Sequence, residues 1–351
     1  MSSEAFLRND MSVGTGLTNS EISTAAASVA VAGAAAVIKA RNKWNGWVKA
    51  SLIALSALSG ASAATITAVS AFVGYKVVKP ARRVLTEEIA EEFNKPLLPR
   101  EKISFKSADG RLSLCGYFYP SNESQAAIIL CHGFHGGAVD THRPALFAQA
   151  HGYNALTLDF RGCGESEGNT TSVGFWEVED LLGAIEYLKS RPEVDPERIA
   201  VYGYSMGGAV AIMAAARSTD IKAIVTDAAF ASLDSLLKVK FGYFYRLPHF
   251  PFRHTAVWWS RRFSNTSGKR VDPVESLKKM ASEGRNLPHF ILHGAKDPGI
   301  PVEDARVLYE HTPGPKHLWI EPEAEHVVGG YVDPHYYMAR LCEFLDPIMK
   351  A

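Results

Sequence analysis

Residues Ile199-Ala200-Val201-Tyr202-Gly203-Tyr204-Ser205-Met206-Gly207-Gly208-Ala209-Val210-Ala211-Ile212-Met213-Ala214 decide how the rest of the chain is read. An apolar run passes through G-x-S-x-G into a long stretch of small apolar residues, so a strand is expected to turn sharply into a helix. The glycines leave room for a tight turn that presents the Ser205 hydroxyl in a strained, exposed position. Taken alone the five-residue pattern is weak. Its strand-turn-helix setting is what gives it weight.

A serine hydroxyl is a poor nucleophile at neutral pH and needs a base, itself held in the right tautomer by a carboxylate. Downstream strand ends offer both. Phe290-Ile291-Leu292 runs into His293-Gly294-Ala295-Lys296-Asp297-Pro298-Gly299, where proline and glycine keep Asp297 in a loop. Leu318-Trp319-Ile320 runs into Glu321-Pro322-Glu323-Ala324-Glu325-His326, a histidine in the next loop. Asp227, at the end of the preceding strand, and Glu325, beside the histidine, are rivals of Asp297 for the acid. His326 is favoured over the other histidines by its position late in the chain and after a strand.

Upstream, Asp109-Gly110 joins Ile103–Ser107 to Leu112–Tyr119 as an expected hairpin. Ala126–Cys131, Ala155–Leu158, Ile199–Tyr202, Ala223–Val225 and Phe290–Leu292 are continuous apolar runs, as expected of strands buried on both faces. Helical patterns lie between and after them: Ala145–His151, Phe175–Ser190, Met206–Arg217, Val302–His311 and Tyr336–Met349. A hairpin followed by strand-helix units predicts a mostly parallel sheet covered by helices, with ligands beyond the carboxyl ends of its strands.

The chain order Ser205, Asp297, His326 resembles that of the α/β-hydrolase family, and the resemblance runs from about Lys102 to Ala351. Asp159-Phe160-Arg161-Gly162-Cys163-Gly164-Glu165-Ser166 is similar to the family's D-x-R-G-x-G-x-S loop, and His132-Gly133-Phe134 to its oxyanion segment. The resemblance implies an α/β-hydrolase fold with a central sheet of about eight strands. It also implies an oxyanion hole built from the backbone N–H groups of Phe134 and Met206. A small cap is implied at about 231–287, where the alternating pattern breaks into Phe241-Gly242-Tyr243-Phe244-Tyr245 and later Trp258-Trp259. Aromatics near a pocket favour an apolar acyl or aryl group, and they serve equally to pack a cap onto a core. His132 and His135 are expected to bond backbone. Arg161 and Glu165 are expected to brace their loop, since a guanidinium is too basic to act as a base. Cys163 is read as structural.

The implied activity is hydrolysis of a carboxylic ester or thioester through an acyl-serine, with no metal or organic cofactor. A serine peptidase or amidase of the same fold, and a non-catalytic ligand-binding protein on a hydrolase scaffold, are the alternatives. Aspartate-nucleophile dehalogenation is disfavoured by the serine.

Bulk properties agree. The 351 residues are 47% apolar and 21% charged, ordinary for a folded chain, and Lys+Arg and Asp+Glu both number 37, which removes any general electrostatic argument for nucleic acid. Cys115, Cys131, Cys163 and Cys342 form no C-x-x-C pair, and two of them fall in strand-like runs, which favours a reducing compartment and a cytoplasmic catalytic domain.

Composition shifts near Lys76. Ala50–Tyr75 carries no charge over 26 residues, long enough to cross a hydrocarbon core of ~30 Å, so a membrane helix is expected there. The shorter uncharged run at 22–38 leaves one span or two open, with Trp44 and Trp47 in the basic linker between the runs. The expected organisation is a membrane-anchoring region and linker at 1–95, including a charged helix over Ala81–Asn94, followed by the hydrolase domain at 96–351.

Overall fold

The computed structural model describes residues 46–80, 99–240, 249–267 and 270–350. The chain divides into two compact units, 1–69 and 70–351. Helix α1 (Gly46–Val78) runs through the division. Residues 22–38 and 81–98, which hold the candidate second span, the expected charged helix and the expected join to the catalytic domain, lie outside the described residues.

The membrane expectation for 50–75 needs correction. The segment is helical, but among the described residues no helix is long and apolar enough to cross a membrane. Ser51, Ser62, Thr65, Thr67 and Ser70 recur through α1, so an uncharged run is not an apolar one. Within the larger unit the end of α1 is a packing element: Ser70, Val73 and Val78 are buried, and the Ser70 hydroxyl lies 2.6 Å from that of Thr255.

The larger unit carries one eight-stranded sheet in the order β1-β2-β4-β3-β5-β6-β7-β8. The strands are β1 (Glu101–Lys106), β2 (Ser113–Tyr119), β3 (Ala127–Cys131), β4 (Asn154–Leu158), β5 (Ile199–Tyr204), β6 (Ile221–Asp227), β7 (His289–Gly294) and β8 (Lys316–Glu321). Only β1–β2 and β2–β4 pair antiparallel; the remaining pairs are parallel. The hairpin turns where Asp109-Gly110 predicted, with Gly110 at φ 69° and its amide donating to the Ser107 carbonyl at 2.8 Å.

Alternate residues of each inner strand feed opposite faces of the sheet, which is why these strands read as unbroken apolar runs. On one face Ile129, Val201 and Ile224 pack with α3 (Glu177–Lys189), α4 (Met206–Ala215), α7 (Pro273–Ser282) and α8 (Val302–His311). On the other, Ile128, Leu130, Tyr202 and Val225 pack with α2 (His142–Ala150) and α9 (Pro334–Met349). Every residue of α4 is buried, so its small side chains bring it close to the sheet. Between β6 and β7 lie α5 (Leu233–Lys240), α6 (His254–Phe263) and α7. Leu277 and Met280 put α7 in the sheet-covering layer, so the stretch that departs from the core pattern is shorter than 231–287.

Candidate active site

Ser205 sits between β5 and α4 at φ 55° and ψ −121°, a conformation that costs a non-glycine residue of order 1–3 kcal/mol and persists only where the surroundings impose it. They do so through close approach. A Cβ on Gly203 would lie 2.4 Å from the Gly207 carbonyl oxygen, and one on Gly207 would lie 2.3 Å from that of Cys131. The Ser205 amide donates to the Asp227 carbonyl at 2.8 Å, tying the turn to the end of β6. Ser205 itself is only half-buried.

Asp297 and His326, from the loops after β7 and β8, lie side by side. Nδ1 of His326 lies 2.6 Å from Oδ2 of Asp297. The Asp297 side chain has no exposed surface, whereas that of His326 is 39% exposed. Oδ1 of Asp297 accepts from the Gly299 and Ile300 amides at 2.7 and 2.9 Å. Burial alone would raise the pKa of this carboxyl, but the His326 hydrogen bond and charge and the two amides outweigh it and hold it below its ordinary value. The two rivals are engaged elsewhere: Glu325 bonds Tyr331, and the carboxylate of Asp227 accepts from the backbone beyond His326.

The oxyanion segment follows β3. His132 is buried, with Nδ1 2.7 Å from the Gly133 carbonyl and Nε2 3.0 Å from the Phe160 amide. That pairing assigns the neutral tautomer with the proton on Nδ1, and burial moves the pKa downward. His135 bonds the Lys79 backbone. Both histidines are therefore backbone braces. The amide of Met206, first of α4, and that of Phe134 donate to no protein acceptor among the described residues.

The D-x-R-G-x-G-x-S loop is a clamp. Asp159 accepts from the Ala138 amide at 2.7 Å and the Glu165 amide at 3.0 Å, Ser166 donates to the Asp159 carbonyl at 2.6 Å, and Arg161 meets the buried Asp180 of α3 at 2.6 Å. Gly162 and Gly164 take φ of 75° and 45°. All four cysteines are free thiols, and Cys163 is buried.

A cavity of about 670 Å³ opens over Ser205 and His326. Phe134, Val139, Phe147 and Met338 give it apolar walls, with Tyr202, Tyr204 and Tyr337 among the other lining residues. Among the described residues none of its lining comes from 231–287, so the walls are the segment after β3, α2, and the stretch from His326 into α9. No group of three or more His, Cys, Asp or Glu among the described residues is disposed to hold a metal ion. Sequence reasoning missed Asp180 and Tyr337, which carry no local motif.

Residues 126–257 match the family model for the alpha/beta hydrolase fold. The uncharacterized protein YqkD of Bacillus subtilis (strain 168) is 30% identical over 233 residues, covering 66% of this chain and 74% of its own length. The thiohydrolase apmlB of Arthrinium phaeospermum is 40% identical over 128 residues, 36% of this chain and 41% of its own. Among solved structures, the esterase Pf2001 of Pyrococcus furiosus is similar at 28% identity and a TM-score of 0.63, covering 78% of this chain and 99% of that one. Strand order, elbow and both kinds of similarity agree, and the chain belongs to the α/β-hydrolase fold family.

Proposed function

We propose that this chain is a serine hydrolase that cleaves carboxylic ester or thioester bonds through an acyl-Ser205 intermediate. One observation carries the reading: Ser205 and His326 line the same cavity while Asp297 holds Nδ1 of His326 at 2.6 Å. With Nδ1–H donated to Asp297, the Nε2 lone pair is left to take the Ser205 proton. The hydroxyl oxygen attacks the substrate carbonyl, and the Phe134 and Met206 amides receive the charge on the carbonyl oxygen, helped by the positive end of α4. His326 returns its proton to the departing alkoxide or thiolate, then activates a water that releases the acid and frees Ser205. The apolar walls favour a small molecule with an apolar group at the scissile bond. The esterase and thiohydrolase among the similar proteins favour the same two bond types.

The test is labelling with a fluorophosphonate probe, set beside turnover of p-nitrophenyl esters of graded chain length, acyl thioesters and aminoacyl amides. Wild type is expected to label and to cleave esters or thioesters, and Ser205→Ala to do neither while remaining folded. Asp297→Asn is expected to lower kcat by about 10³–10⁴-fold, because the imidazole loses its tautomer control. Amide cleavage alone would redirect the reading to a peptidase. A folded wild-type protein that neither labels nor turns over any substrate would overturn it.

A further inference from the structure

We propose that Asp227 is a positioning residue that sets the distance between Ser205 and His326, joining the two halves of the active site through one buried side chain and its own backbone. Its carbonyl accepts from the Ser205 amide at 2.8 Å. Its carboxylate accepts from the Val328 amide at 3.0 Å, the Gly329 amide at 3.3 Å and the Tyr337 hydroxyl at 2.8 Å. Tyr337, on α9, is in turn 2.9 Å from the Tyr202 hydroxyl of β5. Asp227 and Tyr337 are buried, so these partners are what satisfy the carboxylate.

The loop so held is strained. Val327, the residue after His326, has φ 65°, which is an outlier for a β-branched side chain and needs its neighbours to impose it. The two amides gripped by Asp227 are those directly following it. At the other end of the link, Ala228 stands at φ 54°, its amide held by the Leu292 carbonyl at 2.9 Å, so the backbone that offers the Asp227 carbonyl to Ser205 is itself fixed. Asp227 does not touch the imidazole, which Asp297 holds. It acts on catalysis through where the imidazole sits relative to the hydroxyl. The consequence for turnover rests on the serine-hydrolase reading above; the geometry does not.

The experiment compares Asp227→Asn and Tyr337→Phe with wild type. An asparagine side chain has one acceptor oxygen where the carboxylate has two, so one of the loop amides loses its partner. Asp227→Asn is expected to lower kcat and the rate of fluorophosphonate labelling in parallel, by about 10–100-fold, with KM little changed. Independently of activity, the far-downfield proton of the His326–Asp297 hydrogen bond, followed by NMR and assigned by its loss in Asp297→Asn, should shift or broaden. Tyr153→Phe, which loses a hydrogen bond to Asp346 outside the cavity, controls for stability and should leave that signal in place. If Asp227→Asn does not fold, Tyr337→Phe decides, with a smaller change in the same direction. A folded Asp227→Asn with unaltered kcat, labelling and proton signal would overturn the proposal. Loss of the signal in a protein that never hydrolysed anything would uphold the positioning role and reject the enzymatic reading.

Discussion

The protonation of a buried side chain in this protein follows from its desolvation and from the partners it keeps. His289 lies wholly inside the sheet layer with Nε2 2.8 Å from the Thr226 hydroxyl and Nδ1 3.0 Å from that of Thr312. Burial pushes its pKa from 6.5 to about 3. The folded state therefore binds fewer protons than the unfolded state between these values. The resulting stability is complete above pH 6.5 and is lost as the pH falls toward about 3. Urea unfolding should show wild type losing about 2 kcal/mol more than His289→Gln between pH 7 and pH 5. Equal losses in the two proteins would reject this. Asp297 has the same sign for the same reason: its depressed carboxyl pKa makes its contribution present near neutrality and lost only in strong acid. Which carboxylate serves His326 was narrowed, not decided, by sequence. Asp227 ends β6 and Asp297 lies in the loop after β7, and the hydrogen bonds separate the one that meets the imidazole from the one that grips the loop behind it.

Elements meet here through loops braced by charge. Arg161 donates from Nε and Nη2 to the Asp180 carboxylate at 3.0 and 2.6 Å, and Asp180 also receives the Arg161 amide at 2.9 Å, so the loop after β4 is fixed to α3. Both side chains are buried, and removing one charge leaves the other stranded. Arg161→Met is expected to cost about 3–5 kcal/mol by denaturant unfolding, and Arg161→Met combined with Asp180→Leu to recover most of it. A single variant as stable as wild type would show that water relieves Asp180. The strands, the hairpin and the helices flanking the sheet were legible because apolar period and turn residues are local signals. The partner of Arg161 was not, since Asp180 lies 19 positions further along the chain and nothing between them marks it.

For the molecule as a whole, the division between 69 and 70 assigns the end of α1 to the sheet-bearing unit. Val73 and Val78 are buried there, the Val78 carbonyl accepts from the Thr171 amide at 2.8 Å, and a Cβ on Gly162 would meet Pro80 at 2.7 Å. Residues 80–351 are expected to be less stable than 70–351 by about 3 kcal/mol, having lost the two buried valines. Equal stability of the two truncations would contradict this packing. From its own letters the chain determined the alternation of strands and helices, the elbow at Ser205 and the order of Ser205, Asp297 and His326, because each is written within a few neighbouring residues. What only the tertiary structure decided was which carboxylate meets His326, the walls of the cavity, and the packing of the end of α1 into the sheet-bearing unit. Those depend on which distant groups share a low-dielectric interior, and burial and hydrogen-bond partnership across a sheet leave no periodic trace in sequence.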